Sequence, residues 1–132
     1  MIYKRDLDFG FKMEDDLFDT IKNKYGENIC KTEPNCRVDY CDDNTLIELK
    51  SRRNTYRKYP TTMVSKGKID YMLKSGKRCF CLFNFTDGLY EVEINKKVIE
   101  QFILDKGGRR DRGRKEINDY YFIPIELLSP LK

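Results

Sequence analysis

The sequence contains no histidine, and its five cysteines follow no spacing typical of a metal site. Zinc sites are built from cysteine and histidine, often with a C-x-x-C pair, and neither histidine nor that pair is present. An odd number of cysteines does not form a complete disulfide framework, and an iron–sulfur cluster would need a tighter run of them. We therefore expect free thiols and a reducing compartment. The cysteines are Cys30, Cys36, Cys41, Cys79 and Cys81.

Long apolar runs are also missing from the sequence. No stretch approaches the roughly 20 apolar residues that a membrane-spanning helix needs, and no signal peptide is visible. Repeats and low-complexity segments are absent. A chain of 132 residues with 39% hydrophobic residues is long enough for one packed core. We therefore expect a single domain over residues 1–132, without a membrane partner, in the cytoplasm or in the nucleus of a eukaryotic host.

Positive charge is concentrated in two segments, although the net charge is only +4. Residues 50–78 contain ten Lys or Arg and one acid, and residues 106–115 contain six and one. Charges that only maintain solubility are interspersed, whereas this segregation indicates contact with a polyanion such as nucleic acid. A solvated charged face is the alternative. Three glycines in the second segment predict a basic, mobile loop at 106–115.

Hydrophobic periodicity predicts an alternation of helices and hairpins. Residues 13–25 form a helix after a polar lead-in, and a second helix runs from Thr61 or Thr62 to Leu73. Apolar and alternating patterns predict a hairpin over 79–94. The last elements are a short helix or edge strand at 98–104 and a strand at 120–127. This order predicts an α/β fold with a mixed central β-sheet flanked by helices.

Residues 37–51 predict another hairpin, whose strands join at the acidic turn Asp42-Asp43-Asn44. Side chains alternate along a strand, so Glu48 and Lys50 share one face while their apolar neighbours face the core. Folding back at the turn brings Asp39 beside Glu48. Two carboxylates and an ammonium group then converge, and carboxylate oxygens suit a hard cation such as Mg²⁺ or Mn²⁺. An acidic face exposed to solvent is the alternative.

Glu14 lies on the apolar face of the first predicted helix. At about 100° per residue, it falls at the centre of the stripe formed by Leu17, Phe18, Ile21 and Tyr25. A carboxylate in this position is costly to bury unless it is paired or bound to a metal. Acids are also favoured in the first turn by the helix dipole, which is the competing explanation. We interpret Glu14 as a site residue.

Asp39 and the triplet Glu48-Leu49-Lys50 resemble the active site of the PD-(D/E)XK nuclease superfamily. In that superfamily an aspartate on one strand and an E-x-K on the next form a metal site. The proline usually written before the aspartate is Val38 here. The superfamily often places a glutamate on the preceding helix, and Glu14 matches it. The resemblance covers residues 10–94 and implies a restriction endonuclease-like core.

The resemblance implies a divalent-metal-dependent endonuclease that hydrolyses the phosphodiester bonds of DNA. Asp39, Glu48 and the main-chain carbonyl of Leu49 would then be ligands of one or two Mg²⁺ or Mn²⁺ ions. Lys50 would orient or activate the attacking water. Glu14 would hold a second metal or a metal-bound water. A junction resolvase, a phage-type endonuclease and a compact homing-type enzyme all remain open, as does a homodimer, for which the sequence identifies no surface.

The basic residues predict how the substrate is held. Lys66 and Lys68 are candidates for contacting the scissile phosphate, and the sequence does not distinguish between them. Tyr56 and Tyr59 are candidates for stacking on unpaired bases, or they simply pack. Guanidinium and ammonium groups suit the phosphate backbone, and the candidates are Arg52, Arg53, Arg57, Lys58, Arg109, Arg110, Arg112 and Arg114.

Two other classes of function fit parts of the sequence. A non-catalytic nucleic-acid-binding module explains the segregated charge equally well, but it does not explain Glu14 on an apolar stripe or Glu48 and Lys50 on one face. A protein-interaction domain leaves both basic segments unexplained. Cleavage in the presence of Mg²⁺ or Mn²⁺ separates the enzyme from both alternatives. The preferred substrate, whether duplex, single-stranded or branched DNA or RNA, does not follow from the sequence.

Overall fold

The structure is a computed structural model that describes residues 2–33, 36–107 and 118–131. Its helices are α1 (Ile2–Tyr25), α2 (Lys66–Lys74) and α3 (Lys96–Ile99), followed by a 3-10 helix at Ile125–Leu127. Its strands are β1 (Cys30–Lys31), β2 (Tyr40–Cys41), β3 (Thr45–Ser51), β4 (Thr61–Ser65), β5 (Arg78–Phe85), β6 (Gly88–Ile94), β7 (Ile103–Gly107), β8 (Asn118–Pro124) and β9 (Ser129–Pro130).

A six-stranded mixed sheet lies at the centre, in the order β1-β2-β3-β5-β6-β9. β3 and β5 run parallel, while the other neighbouring strands are antiparallel. The register places Tyr40 opposite Ile47 and Glu48 opposite Cys81. β3 is therefore enclosed between β2 and β5. The predicted α/β fold, with a mixed sheet and flanking helices, is confirmed.

Both faces of β3 are covered, but by different elements. On one face, Ile21 of α1 packs with Ile47 and Leu49. On the other face, Ile69 and Met72 of α2 belong to a second apolar cluster that includes Leu46 of β3 and several side chains of β5. A second, three-stranded antiparallel sheet in the order β4-β8-β7 contributes to this second cluster. Because side chains alternate along β3, Glu48 faces the α2 side.

The helix predicted at 13–25 is confirmed in its position, but α1 begins much earlier, at Ile2. Gly10 lies inside the helix. A glycine in a helix costs about 1 kcal/mol relative to alanine, which does not end a helix whose later turns are anchored by packing. Among the described helices, none is both long and apolar enough to cross a membrane.

The helix predicted from Thr61 or Thr62 is wrong in its first half. Thr61–Ser65 is strand β4, which pairs with β8. β-branched residues favour strands, and Thr62 and Val64 are buried at alternate positions. α2 begins only at Lys66, where the Ser65 side chain caps it by accepting a hydrogen bond from the Lys68 amide at 3.3 Å.

The remaining predictions hold to different extents. The hairpins predicted over 37–51 and 79–94 are confirmed as β2–β3 and β5–β6. The segment 98–104 is divided between the end of α3 and the start of β7. The strand predicted at 120–127 ends at Pro124 and continues as the 3-10 helix.

Candidate active site

Glu48 is the only charged residue in the core, among those whose burial the structure describes, with 4% of its surface exposed. It lies in the middle of β3, opposite Cys81 of β5, which is fully buried. Burial raises the pKa of the Cys81 thiol, and the Glu48 charge adds to that effect. A carboxylate in such surroundings needs compensating charge, because burying an unpaired ion is costly.

Two ammonium groups supply that compensation. Lys50 Nζ lies 3.1 Å from Glu48 Oε2, and Lys68 Nζ lies 3.2 Å from Oε1. The Lys68 ammonium group is not oriented for a hydrogen bond, so Oε1 accepts none from the residues that the structure describes. The ion pairs offset the cost of the buried charge, while one buried oxygen keeps unused capacity to accept or to coordinate.

Asp39 lies directly before β2 and beside Glu48. Its amide donates to the Ile47 carbonyl at 3.0 Å, and its Oδ2 accepts from the Leu49 amide at 2.8 Å. Burial, followed by the charge of Glu48, raises the pKa of Asp39 to about 7, against the opposing effect of the Leu49 hydrogen bond. The β2–β3 hairpin therefore holds the two carboxyl groups close enough for the Glu48 charge to raise the pKa of Asp39.

Glu14 supplies a third carboxyl group from α1. Burial raises the pKa of Glu14, while the Lys31 charge and a hydrogen bond with the Asp39 side chain lower it. The Tyr40 hydroxyl donates to the Glu14 main-chain carbonyl at 2.5 Å, which fixes α1 against β2. Glu14 is half-buried at this junction. α1 thus brings the Glu14 carboxyl group to Asp39, close enough to Glu48 for the two charges to interact.

The structure separates the two lysines that the sequence left undistinguished. Lys68 contacts Glu48. Lys66 instead pairs with Asp70, one turn along α2, at 2.6 Å. Because Ser65 caps α2, Lys68 occupies the third position of the helix, where its side chain reaches the central sheet.

The acidic residues meet some requirements of a metal site. Among the described residues, no three His, Cys, Asp or Glu side chains stand close enough together to enclose an ion. Two observations nevertheless fit a cation: Glu48 has a buried oxygen without a hydrogen bond, and the carboxyl groups of Asp39 and Glu14 have raised pKa values. A divalent cation would neutralise such a cluster, and carboxylate oxygens are suitable ligands for Mg²⁺ or Mn²⁺.

The predicted backbone-binding residues have different environments. Arg52 turns inward: its Nη2 donates to the Met63 carbonyl at 2.8 Å, and its Nε donates to Thr62 Oγ1 at 3.3 Å. Burial lowers the pKa of Arg52, and the Glu48 charge opposes that shift. Its hydrogen-bond donors therefore connect the end of β3 to β4.

The other basic residues of this segment lie nearer the surface. Arg53 places its guanidinium carbon 4.5 Å from the ring centre of Phe9. Arg57 and Lys58 are exposed. The loop arginines lie outside the described residues, so their predicted role stays a prediction; they are Arg109, Arg110, Arg112 and Arg114.

Sequence reasoning missed the inward position of Arg52. One signal was available, because Glu48, Lys50 and Arg52 continue the same two-residue alternation beyond the end of β3. A second basic residue on the face of a buried carboxylate indicates attraction to that carboxylate. The run of positive charge instead groups Arg52 with Arg53, Arg57 and Lys58, which are exposed.

Comparison with known proteins identifies a family for this chain. The chain matches one family model, described as "Phage putative PDDEXK endonuclease", over residues 7–131. Comparisons with curated proteins and with solved structures gave no match. The match includes α1 from residue 7 and the hairpin that holds Asp39 and Glu48. It also includes the elements after residue 94, which the resemblance to the nuclease superfamily does not cover. The chain belongs to this family of phage PDDEXK endonucleases.

Proposed function

We propose that this protein is a divalent-metal-dependent endonuclease that hydrolyses the phosphodiester bonds of DNA, and that Glu48 is the centre of its active site. One observation carries the proposal: Glu48 is buried in the central sheet between two ammonium groups, beside a second carboxyl group on Asp39. Residues 1–132 act in this proposal as one nuclease domain, which is supported by a family match extending to residue 131.

The arrangement is expensive if it has only a structural role. Replacing a buried ion pair with apolar residues is often neutral or stabilising, and the raised pKa values of Asp39 and Glu14 mean that these two groups destabilise the fold at neutral pH. A non-catalytic binding module would gain nothing from the carboxyl groups of Glu14 and Glu48 both acting on Asp39. A nuclease gains ligands for a cation, so the unfavourable cluster supports the enzyme over the module.

Asp39 and Glu48 are the proposed metal ligands, with the Leu49 carbonyl as a third and Glu14 holding a second ion or a bound water. Mg²⁺ or Mn²⁺ would supply Lewis-acid stabilisation of the phosphate and a more acidic water. The Leu49 amide contributes in a different way, because its hydrogen bond to Oδ2 fixes the orientation of the Asp39 carboxyl group.

The lysines act on the reacting groups in this proposal. Lys50, 38% exposed, reaches solvent while it contacts Glu48, so it can orient the attacking water. Its charge also stabilises the negative charge that develops on the phosphate as the water oxygen bonds to phosphorus. Lys68, 20% exposed, approaches from the other side of Glu48 and is the better placed of the two helix lysines for a phosphate oxygen.

Cleavage assays test the proposal. Purified protein with Mg²⁺ or Mn²⁺ should cut duplex, single-stranded or branched DNA. Lys50→Ala should lower the rate by about 10²–10³-fold with little change in DNA binding, because it removes one charge among many. Glu48→Gln should stop cleavage without weakening binding, since it makes the surface more positive. Lys66→Ala is the matched control, because Lys66 pairs with Asp70 instead of Glu48.

The results separate the candidate functions. If the wild-type protein binds DNA tightly but cuts none of these substrates with either ion, it is a non-catalytic binding module. If Lys50→Ala and Glu48→Gln cut as fast as the wild type, the β2–β3 hairpin is not the active site, whatever the protein cleaves.

A further inference from the structure

An open pocket of about 330 Å³ lies where the chain continues from β3 towards β4. Its volume lies within the range of small-molecule sites, about 300–1,000 Å³. Phe85 and Phe122 give it an apolar lining, while Asn54 and Thr61 add polar groups. Apolar walls with a few polar groups suit a flat ligand that has a hydrogen-bonding edge.

Two tyrosines also line this pocket, and the structure gives them different roles. Tyr56 stacks on Tyr90 with 4.0 Å between the ring centres, and its hydroxyl donates to the Ile125 carbonyl at 2.7 Å. Tyr56 is therefore a packing residue. Tyr59 has 53% of its surface exposed, so its ring remains accessible at the pocket. Of the two stacking candidates from the sequence, Tyr59 is the one accessible to a ligand.

Positive charge surrounds the same tyrosines. Lys58 Nζ lies 5.6 Å from the centre of the Tyr59 ring, and the guanidinium carbon of Arg57 lies 5.6 Å from that of Tyr56. Both basic residues are exposed. An accessible ring next to exposed cations fits a ligand that combines a flat base with a phosphate, because the ring stacks and the cations neutralise the phosphate.

The pocket is connected to the active site through Arg52. Arg52 lines the pocket and lies close enough to Glu48 for that charge to oppose the lowering of its pKa by burial. Four residues along an extended chain cover about 13 Å, so a nucleotide in the pocket would lie within a few nucleotides of a phosphate held at Glu48.

We propose that this pocket binds an unpaired nucleotide of the DNA substrate, with its base stacked on Tyr59 and its phosphate held by Arg57 and Lys58. The proposal deepens the proposed function and rests on it for the class of ligand. A base in a duplex is stacked on its neighbours and has no free face. The pocket therefore favours DNA with a single-stranded or branched segment over a continuous duplex.

Binding without cleavage tests this inference. Fluorescence anisotropy in EDTA measures the affinity of the full chain for a short single strand and for a fully paired duplex of the same length. Tyr59→Ala should lose about tenfold in affinity for the single strand and little for the duplex, because only unpaired bases can stack. Tyr59→Phe should bind like the wild type, since stacking needs the ring and not the hydroxyl.

Tyr71→Ala is a matched control. Tyr71 is also an exposed tyrosine, on α2, and it also has a cation near its ring, with the Arg37 guanidinium carbon at 5.3 Å. It does not line the pocket, so its removal should leave both affinities unchanged. Thermal unfolding of each variant checks that the fold is intact.

The outcomes distinguish this inference from the proposed function. If Tyr59→Ala binds the single strand as tightly as the wild type, or loses the same affinity for both DNAs, the pocket does not bind an unpaired base. The same conclusion follows if the wild-type protein binds neither DNA. If the selective loss is observed but no DNA is cut with Mg²⁺ or Mn²⁺, the pocket assignment stands and the endonuclease proposal fails.

Discussion

Asp39→Asn should stabilise the metal-free protein at neutral pH, although Asp39 is a proposed metal ligand. Burial and the charge of Glu48 raise the pKa of Asp39 from 3.8 to about 7 in the folded state. Between these values the unfolded chain loses the proton while the folded chain keeps it. The stability that Asp39 contributes is therefore complete below about pH 4 and is lost as the pH rises towards about 7.

The expected size of this effect follows from the shift. One pKa unit corresponds to about 1.4 kcal/mol, so the rise in the pKa of Asp39 corresponds to about 4 kcal/mol at most. Asp39 and Glu14 form a hydrogen bond and titrate together, so we expect about 2–4 kcal/mol for Asp39 alone. Asparagine has the same shape, and its amide oxygen can accept the hydrogen bond from the Leu49 amide. The variant should therefore match the wild type at low pH and exceed it by that amount near pH 8.

Urea unfolding in EDTA, followed by circular dichroism from about pH 4.5 to about pH 8, measures this difference. Asp43→Asn is the control, because it removes a carboxylate from the exposed turn of the same hairpin. A difference between Asp39→Asn and the wild type that does not grow with pH would refute the reasoning. Added Mg²⁺ should reverse the order, since the wild type gains binding energy in its folded state and the variant lacks a ligand.

Three further changes test other parts of the structure. Lys68→Ala should lower the cleavage rate by about 10²-fold or more while Lys66→Ala does not, and equal rates in the cleavage assay would contradict the assignment of Lys68. Arg52→Lys should lower the free energy of unfolding by about 1–3 kcal/mol, measured in urea, because lysine cannot reproduce both hydrogen bonds of the guanidinium group. The last change replaces four loop arginines with serine: Arg109, Arg110, Arg112 and Arg114. It should reduce the slope of log affinity against log salt concentration by about 0.9 for each phosphate that the protein no longer neutralises. An unchanged slope would show that these arginines do not contact the DNA backbone.

The parts of the site that local pattern determines were predictable from the sequence. Alternation along β3 separates Glu48 and Lys50 from their apolar neighbours, and the turn before β3 brings Asp39 back to Glu48. Helical periodicity placed Glu14 on the apolar side of α1, where it meets Asp39. Each of these arrangements depends on residues close in sequence, or on one short turn, so sequence spacing carries the information.

The other parts depend on pairing between distant segments. The segment from Thr61 to Ser65 has neighbours compatible with a helix, but it becomes a strand because β8, more than fifty residues later, pairs with it. The inward position of Arg52 depends on β4, which supplies the Met63 carbonyl and the Thr62 hydroxyl. Composition near Arg52 indicates only a basic segment, since the acceptors lie on an element that sequence reasoning assigned to a helix.

The start of α2 shows how pairing between distant strands determines the position of a site residue. A helix rotates by about 100° per residue, so the face on which Lys68 lies depends on where the chain enters the sheet and where the helix begins. Pairing of β4 with β8 keeps the chain extended through Ser65, and the Ser65 cap then starts the helix so that Lys68 meets Glu48 while Lys66 meets Asp70. The small sheet thus places the second ammonium group on Glu48, because it fixes the residue at which α2 begins.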